Sequence, residues 1–150
     1  MFATFFGAPW IEPQSLNNLA GVLQNLGDYA GARSLYEEAL TIYEQVRKSN
    51  HPDTAIVLNN LAGLLRGQED YERAKPLYER ALAIYEEVLG PNHPDTASSL
   101  NNLAYLLQSQ GDYTAARPLY ERALAIYELR LGVDHPTTRT VRANLAALIA

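Results

Sequence analysis

The chain has 150 residues, 47% hydrophobic and 19% charged, which is enough apolar material for one well-buried domain. Its net charge of −5 and isoelectric point near 5.1 leave no basic footprint for nucleic acid. It has no cysteine for disulfides or thiolate metal sites. No apolar run reaches the roughly 18 to 20 residues of a membrane span, and no basic secretory n-region opens the chain, which leaves the cytoplasm as default.

In chain order, residues 1–12 form a non-repeat apolar segment in which Phe2, Phe5, Phe6, Trp10 and Ile11 crowd around the structure breakers Gly7 and Pro9. Leaving these rings in water forgoes several kcal/mol of burial at about 25 cal/mol per Å². The segment is therefore expected to fold over the open face of the first helix, or to insert into the groove or open end of a second molecule.

From residue 13 the sequence repeats. Leu-Asn-Asn-Leu-Ala begins at Leu16, Leu58 and Leu100, at intervals of 42 residues. His-Pro (His51, His93, His135), Asp-Tyr (Asp28, Asp70, Asp112) and Leu-Tyr-Glu (Leu35, Leu77, Leu119) recur in the same register. The units are 13–51, 52–93 and 94–135, and the fourth copy, 136–150, has room for one helix.

Each unit predicts an antiparallel helix pair. Leu100, Leu103, Ala104 and Leu107 make one apolar helical face, started by Pro94 and Asp95 and stopped at Gly111-Asp112. Tyr113, Ala116, Tyr120, Ala123, Leu124 and Tyr127 make the next, with small alanines for close approach and tyrosines filling the gaps, up to Leu131 before Gly132. The expected helices are 13–26, 28–47, 52–67, 70–89, 94–109, 112–131 and 136–149. Nine of the ten tyrosines fall on the second helices as core residues, and Pro76 and Pro118 are expected to bend those helices slightly. Arg33 and Glu37, Lys75 and Glu79, and Arg117 and Glu121 are spaced for surface ion pairs. Arg142 replaces the leucine of Leu16, Leu58 and Leu100, which polarises the exposed face of the last helix.

Aligned on Gly111-Asp112-Tyr113, the unit resembles the tetratricopeptide repeat, with Leu100, Leu103, Ala104, Ala116, Tyr120 and Ala123 at its large and small positions. The 42-residue length and the Leu-Asn-Asn-Leu-Ala, Ala-Leu-Ala-Ile-Tyr-Glu and His-Pro strings are similar to the kinesin light chain type. Agreement at about two positions in three between the second and third units fits a bacterial array better than a motor subunit. The resemblance implies an all-α, right-handed superhelical solenoid of antiparallel helix pairs, about seven helices in all, with the first helix of each pair lining the concave side. It also implies a scaffold that binds proteins.

The outward positions of the first helices are Asn17, Asn18, Gly21, Gln24 and Asn25, then Asn59, Asn60, Gly63, Arg66 and Gly67, then Asn101, Asn102, Tyr105, Gln108 and Ser109. They form a nearly neutral polar trough. Amides both donate and accept, so an asparagine ladder can pair with the backbone of an extended peptide. In the family the second asparagine of the pair contacts peptide, a position matched by Asn18, Asn60, Asn102 and Asn144. The same ladder can instead hydrogen-bond neighbouring helices. With Arg66 the only charge, the trough lacks the cations of a carboxylate clamp or of an acidic-aromatic peptide site. Tyr105 stands where the other units have Gly21, Gly63 and Ala147, either as a binding hot spot or as a ring folded over the adjacent helix.

Equivalent histidines lie at least about 8 to 10 Å apart in packed helices, so they cannot converge on one metal ion. No nucleophile, base and orienter come together, and neither an enzymatic activity nor a cofactor is expected. The candidate peptide-binding residues are Asn17, Asn18, Asn59, Asn60, Arg66, Asn101, Asn102, Tyr105, Gln108 and Asn144. The leading function is recognition of a protein or peptide partner in the groove. The alternative is a structural spacer or self-assembling array, joined through the solenoid ends or the N-terminal segment.

Overall fold

The computed structural model describes residues 11–46 and 50–149, and within them seven helices and no strand. They are α1 (Pro13–Asn25), α2 (Tyr29–Val46), α3 (Pro52–Gly67), α4 (Tyr71–Val88), α5 (Pro94–Ser109), α6 (Tyr113–Leu131) and α7 (Pro136–Ile149). The expected boundaries agree to within one residue. Segment 1–10, assigned above as a lid or intermolecular insert, lies outside the described residues.

Local chemistry sets these limits. Proline opens α1, α3, α5 and α7, where its missing N–H is not needed. The imidazole Nδ1 atoms of His51, His93 and His135 accept the backbone N–H groups of Asp53, Asp95 and Thr137 at 3.1, 3.0 and 3.2 Å. Each histidine thus does what serine or aspartate usually does at a helix N-cap. At the second helices Asp28, Asp70 and Asp112 accept from the N–H groups of Gly31, Arg73 and Ala115. Between the helices of a pair the chain reverses through a left-handed residue: Gly27 (φ 87°), Glu69 (φ 62°) and Gly111 (φ 81°). The next N–H then donates back to Leu23, Leu65 or Leu107, which closes the helix end.

Each helix packs on the next, giving the right-handed solenoid of helix pairs. Ala32, Ala39, Ala74, Ala81, Ala116 and Ala123 are fully buried, so the backbones approach closely between the rings of Tyr36, Tyr43, Tyr78, Tyr85, Tyr120 and Tyr127. The remaining second-helix tyrosines differ from expectation. Tyr29 and Tyr113 are exposed and Tyr71 half-buried, because the first residue of each second helix sits beyond the inter-helix contact. Pro76 and Pro118 lie within uninterrupted helices.

The ion pairs are also redistributed. Arg33–Glu37 and Arg117–Glu121 form at 2.8 and 2.7 Å, whereas Lys75 and Glu79 are not paired among the described residues. Contacts between successive second helices appear instead: Arg80 with Glu44 at 2.5 Å and Arg122 with Glu86 at 2.6 Å. The first helices approach each other directly, α1 with α3 and α3 with α5, and so lie on the inner side of the curve.

The two ends differ. On α1, Leu19 is 49% exposed and Val22 52%, while their counterparts Leu61, Leu64, Leu103 and Leu106 are covered by the preceding second helix and buried. At the other end Arg142 binds Glu128 and the carbonyl of Val133, giving α7 the polar side expected of it. Among the described residues no helix is long and apolar enough to cross a membrane.

Candidate functional site: the concave face

Packing turns the apolar stripes of α1, α3, α5 and α7 toward the second helices, which leaves the asparagine pairs on the inner surface. Between α1 and α3 they border an open hollow of about 440 Å³ lined by Asn17, Asn18, Gly21, Val22, Gln24, Asn25, Tyr36 and Asn60.

The two asparagines of a pair have different surroundings. Asn17 is buried and accepts from Asn60 Nδ2 at 3.0 Å, so it forms the floor of the hollow and is tied to the neighbouring helix. Asn101 likewise accepts from Asn144 Nδ2 at 3.4 Å. The second asparagine of one repeat thus donates to the first asparagine of the repeat before it. The rung expected from Asn102 to Asn59 is open. Asn59 Oδ1 is buried without a hydrogen-bond partner, and the half-buried amide of Asn102 has none among the described residues. Asn18 is exposed and accepts from Gln14 Nε2 at 3.1 Å. The ladder is therefore partly an inter-helix device, with Asn102 its most available member.

Deeper in the trough, Tyr36 donates its hydroxyl to Gln24 Oε1 at 3.1 Å, and Tyr120 donates to Gln108 Oε1 at 2.7 Å. Gln108 is thus anchored to the core. Arg66 occupies the same position in the middle repeat, and its guanidinium carbon lies 4.6 Å from the ring centroid of Tyr105. Both residues were visible in the sequence as departures from the repeat; that they stack on each other was not. Tyr105 is 45% exposed, so the ring is a surface feature with Arg66 on one face.

The phenols below the trough are neutral. Burial raises that of Tyr36 above its ordinary value. It does the same to Tyr78, where the Arg66 charge opposes it. Tyr120 is pushed up to about 12 by burial, with Tyr105 adding to the rise and Arg66 opposing it. The histidines stand at helix starts with Nδ1 engaged, and no group of three or more potential metal ligands occurs among the described residues.

A curved stack of helix pairs with a polar inner trough defines a helical repeat scaffold. The sequence profile of the tetratricopeptide repeat matches residues 12–87, 53–129 and 95–148, and the chain belongs to that family, whose repeats generally mediate protein–protein interaction. A comparison with curated proteins found no match.

Among solved structures the chain is similar to BtubC (BKLC) from P. vanneervenii, with 28% identity and a TM-score of 0.82 over 91% of this chain. It is also similar to the nearly identical TPR-like repeats of a putative kinesin light chain from Podosopora anserina, with 27% identity and a TM-score of 0.84 over 93%. The chain spans 54% and 67% of the lengths of those two. The N-terminal domain of stress-induced protein-1 from C. elegans shares the fold at 14% identity, with a TM-score of 0.67 over 92% of this chain and 94% of that one.

Proposed function

We propose that the chain is a non-catalytic scaffold module that holds an extended segment of a partner protein along its concave trough. Asn60 and Asn102 contact the partner's backbone, with Asn18 and Asn144 toward the two ends. The supporting observation is the state of the amides. Asn102 has donor and acceptor groups that no described residue engages, while Asn60 and Asn144 donate to a neighbouring asparagine and keep their carbonyl oxygens for a ligand. An extended peptide needs that alternation of donors and acceptors. Screening the chain against a peptide array, followed by calorimetry on the hits, tests this reading. The double substitution Asn60→Ala, Asn102→Ala is expected to abolish binding with an unchanged helical circular dichroism signal. Undiminished affinity in that variant would show that the amides do not hold the ligand.

A second reading, self-association through the solenoid ends, rests on the exposed Leu19 and Val22 of α1, whose counterparts are covered in the interior. Light scattering coupled to size exclusion, with and without residues 1–11, tests it. A mass that stays monomeric in both across a concentration series rules the second reading out.

A further inference from the structure

The middle repeat breaks a side-chain pairing that its neighbours keep. Tyr36 and Tyr120 each give a hydroxyl proton to a glutamine, Gln24 and Gln108. In the middle repeat the tyrosine remains, as Tyr78, but Arg66 stands in the glutamine position. A guanidinium has five N–H donors and no acceptor, so it cannot take that proton. The Tyr78 hydroxyl accordingly has no hydrogen bond to any described residue. It faces Gly63, on which a Cβ would stand 3.5 Å from the hydroxyl oxygen, so the glycine leaves that side uncrowded.

Among the half-buried arginines of the described residues, Arg66 is equally unusual. Arg33, Arg80, Arg117, Arg122 and Arg142 each pair with a glutamate. Arg66 has no carboxylate or hydrogen-bond partner among the described residues. Its flat face rests on the Tyr105 ring at 4.6 Å, which leaves the N–H edge unoccupied. Half-buried at the surface of the trough, that edge is open to an incoming acceptor. Stacking on an aromatic face fixes the plane of the fork before any ligand arrives, which lowers the ordering cost of binding.

We propose that Arg66, fixed on Tyr105 and flanked by the Tyr78 hydroxyl, receives one carboxylate of the polypeptide held in the trough. Two parallel N–H groups of the guanidinium match the two carboxylate oxygens, and the phenol supplies a further donor. This pocket is not a clamp of several cations: among the described residues the outward positions of the first helices carry one charge, so it selects a single acidic group flanked by segments bound through their backbone. Burial keeps the Tyr78 phenol protonated, and therefore able to donate, despite the nearby arginine. The proposal rests on the reading of the trough as a peptide groove.

The test uses the intact chain labelled with nitrogen-15, following the side-chain Nε–H signal of Arg66 and the amides of Asn60 and Asn102. The probes are an end-blocked Ala/Ser hexapeptide carrying one glutamate, its glutamine counterpart, the glutamine peptide with a free C-terminus, glutarate and inorganic phosphate. The glutamate peptide is expected to bind about tenfold more tightly than the blocked glutamine peptide and to move Arg66 saturably. Comparison with the free C-terminus distinguishes a side-chain carboxylate from a terminal one. Arg66→Gln, which restores the pairing of the other two repeats and so keeps the fold, is expected to remove the tenfold preference while the asparagine shifts persist. If glutamate and glutamine peptides move the asparagines alike and leave Arg66 still, the groove reading stands and the carboxylate site is wrong. If no peptide moves the asparagines but glutarate still moves Arg66, the site stands and the groove reading is wrong. A response of Arg66 to phosphate without any to carboxylates overturns the site as well.

Discussion

Arg142 Nη2 stands 3.1 Å from Glu128 Oε2, and with this contact the last helix takes up a glutamate whose equivalents, Glu44 and Glu86, reach forward to Arg80 and Arg122. The pair is partly exposed, so Arg142→Leu is expected to change stability by less than about 1 kcal/mol. It would, however, extend the apolar surface of α7 toward Ile149, which is 57% exposed. Light scattering should show concentration-dependent association of Arg142→Leu that is absent from the parent. A variant that stays monomeric at high concentration would show that the arginine does not keep this end polar.

Tyr105 and Tyr120 separate surface from core within one repeat. Tyr120 is fully buried and its hydroxyl is bonded to Gln108, whereas Tyr105 is nearly half exposed. Tyr120→Ala is expected to cost about 3 to 5 kcal/mol through the cavity it opens. Tyr105→Ala is expected to cost less than about 1 kcal/mol. Urea unfolding of both variants gives the comparison, and equal losses would place Tyr105 in the core.

Glu69 has φ 62° where the flanking repeats place Gly27 and Gly111. A left-handed conformation brings the Cβ of an L-residue against its own backbone, and glycine avoids the clash. Glu69→Gly is therefore expected to raise stability by about 0.5 to 1 kcal/mol, and Gly111→Glu to lower it comparably. Thermal melts in which the two changes move the midpoint in the same direction would contradict this.

Burial raises the phenols of Tyr85 and Tyr120 from 10.0 to about 12. The folded state thus favours their neutral forms. This contribution to stability is whole below pH 10 and is lost as pH rises through about 12. Urea midpoints are expected to hold steady up to about pH 9 and then to fall. The ultraviolet band of tyrosinate should grow in two stages, with the buried rings ionising as the chain unfolds. A single early stage that includes the buried rings would contradict their burial.

The helices were legible in the sequence because proline, histidine, glycine and aspartate mark almost every boundary through local chemistry. The core alanines and deep tyrosines followed from helical spacing alone. Relations across repeats were not legible. Arg80 and Glu44 are 36 residues apart and meet only because successive second helices lie side by side, whereas Lys75 and Glu79 have suitable spacing and do not pair. Helical periodicity placed both asparagines of each pair on the inner face. It could not tell that Asn17 would turn toward Asn60 while Asn102 found no partner among the described residues, since that depends on the offset between neighbouring first helices. Arg66 and Tyr105 stood out one by one for breaking the repeat, and their stacking depends on the same offset.

The Arg80–Glu44 and Arg122–Glu86 contacts are one joint made twice, with a period of 42 residues. Duplicating an internal unit would rebuild that joint unchanged and lengthen the inner surface by one first helix, about 8 to 10 Å. The trough therefore behaves as a ruler whose graduations are pairs of asparagines and whose length changes only in whole steps. One graduation, at Arg66 and Tyr105, is marked differently from the rest, and under the proposed groove reading it would give a bound polypeptide a register that identical marks could not supply.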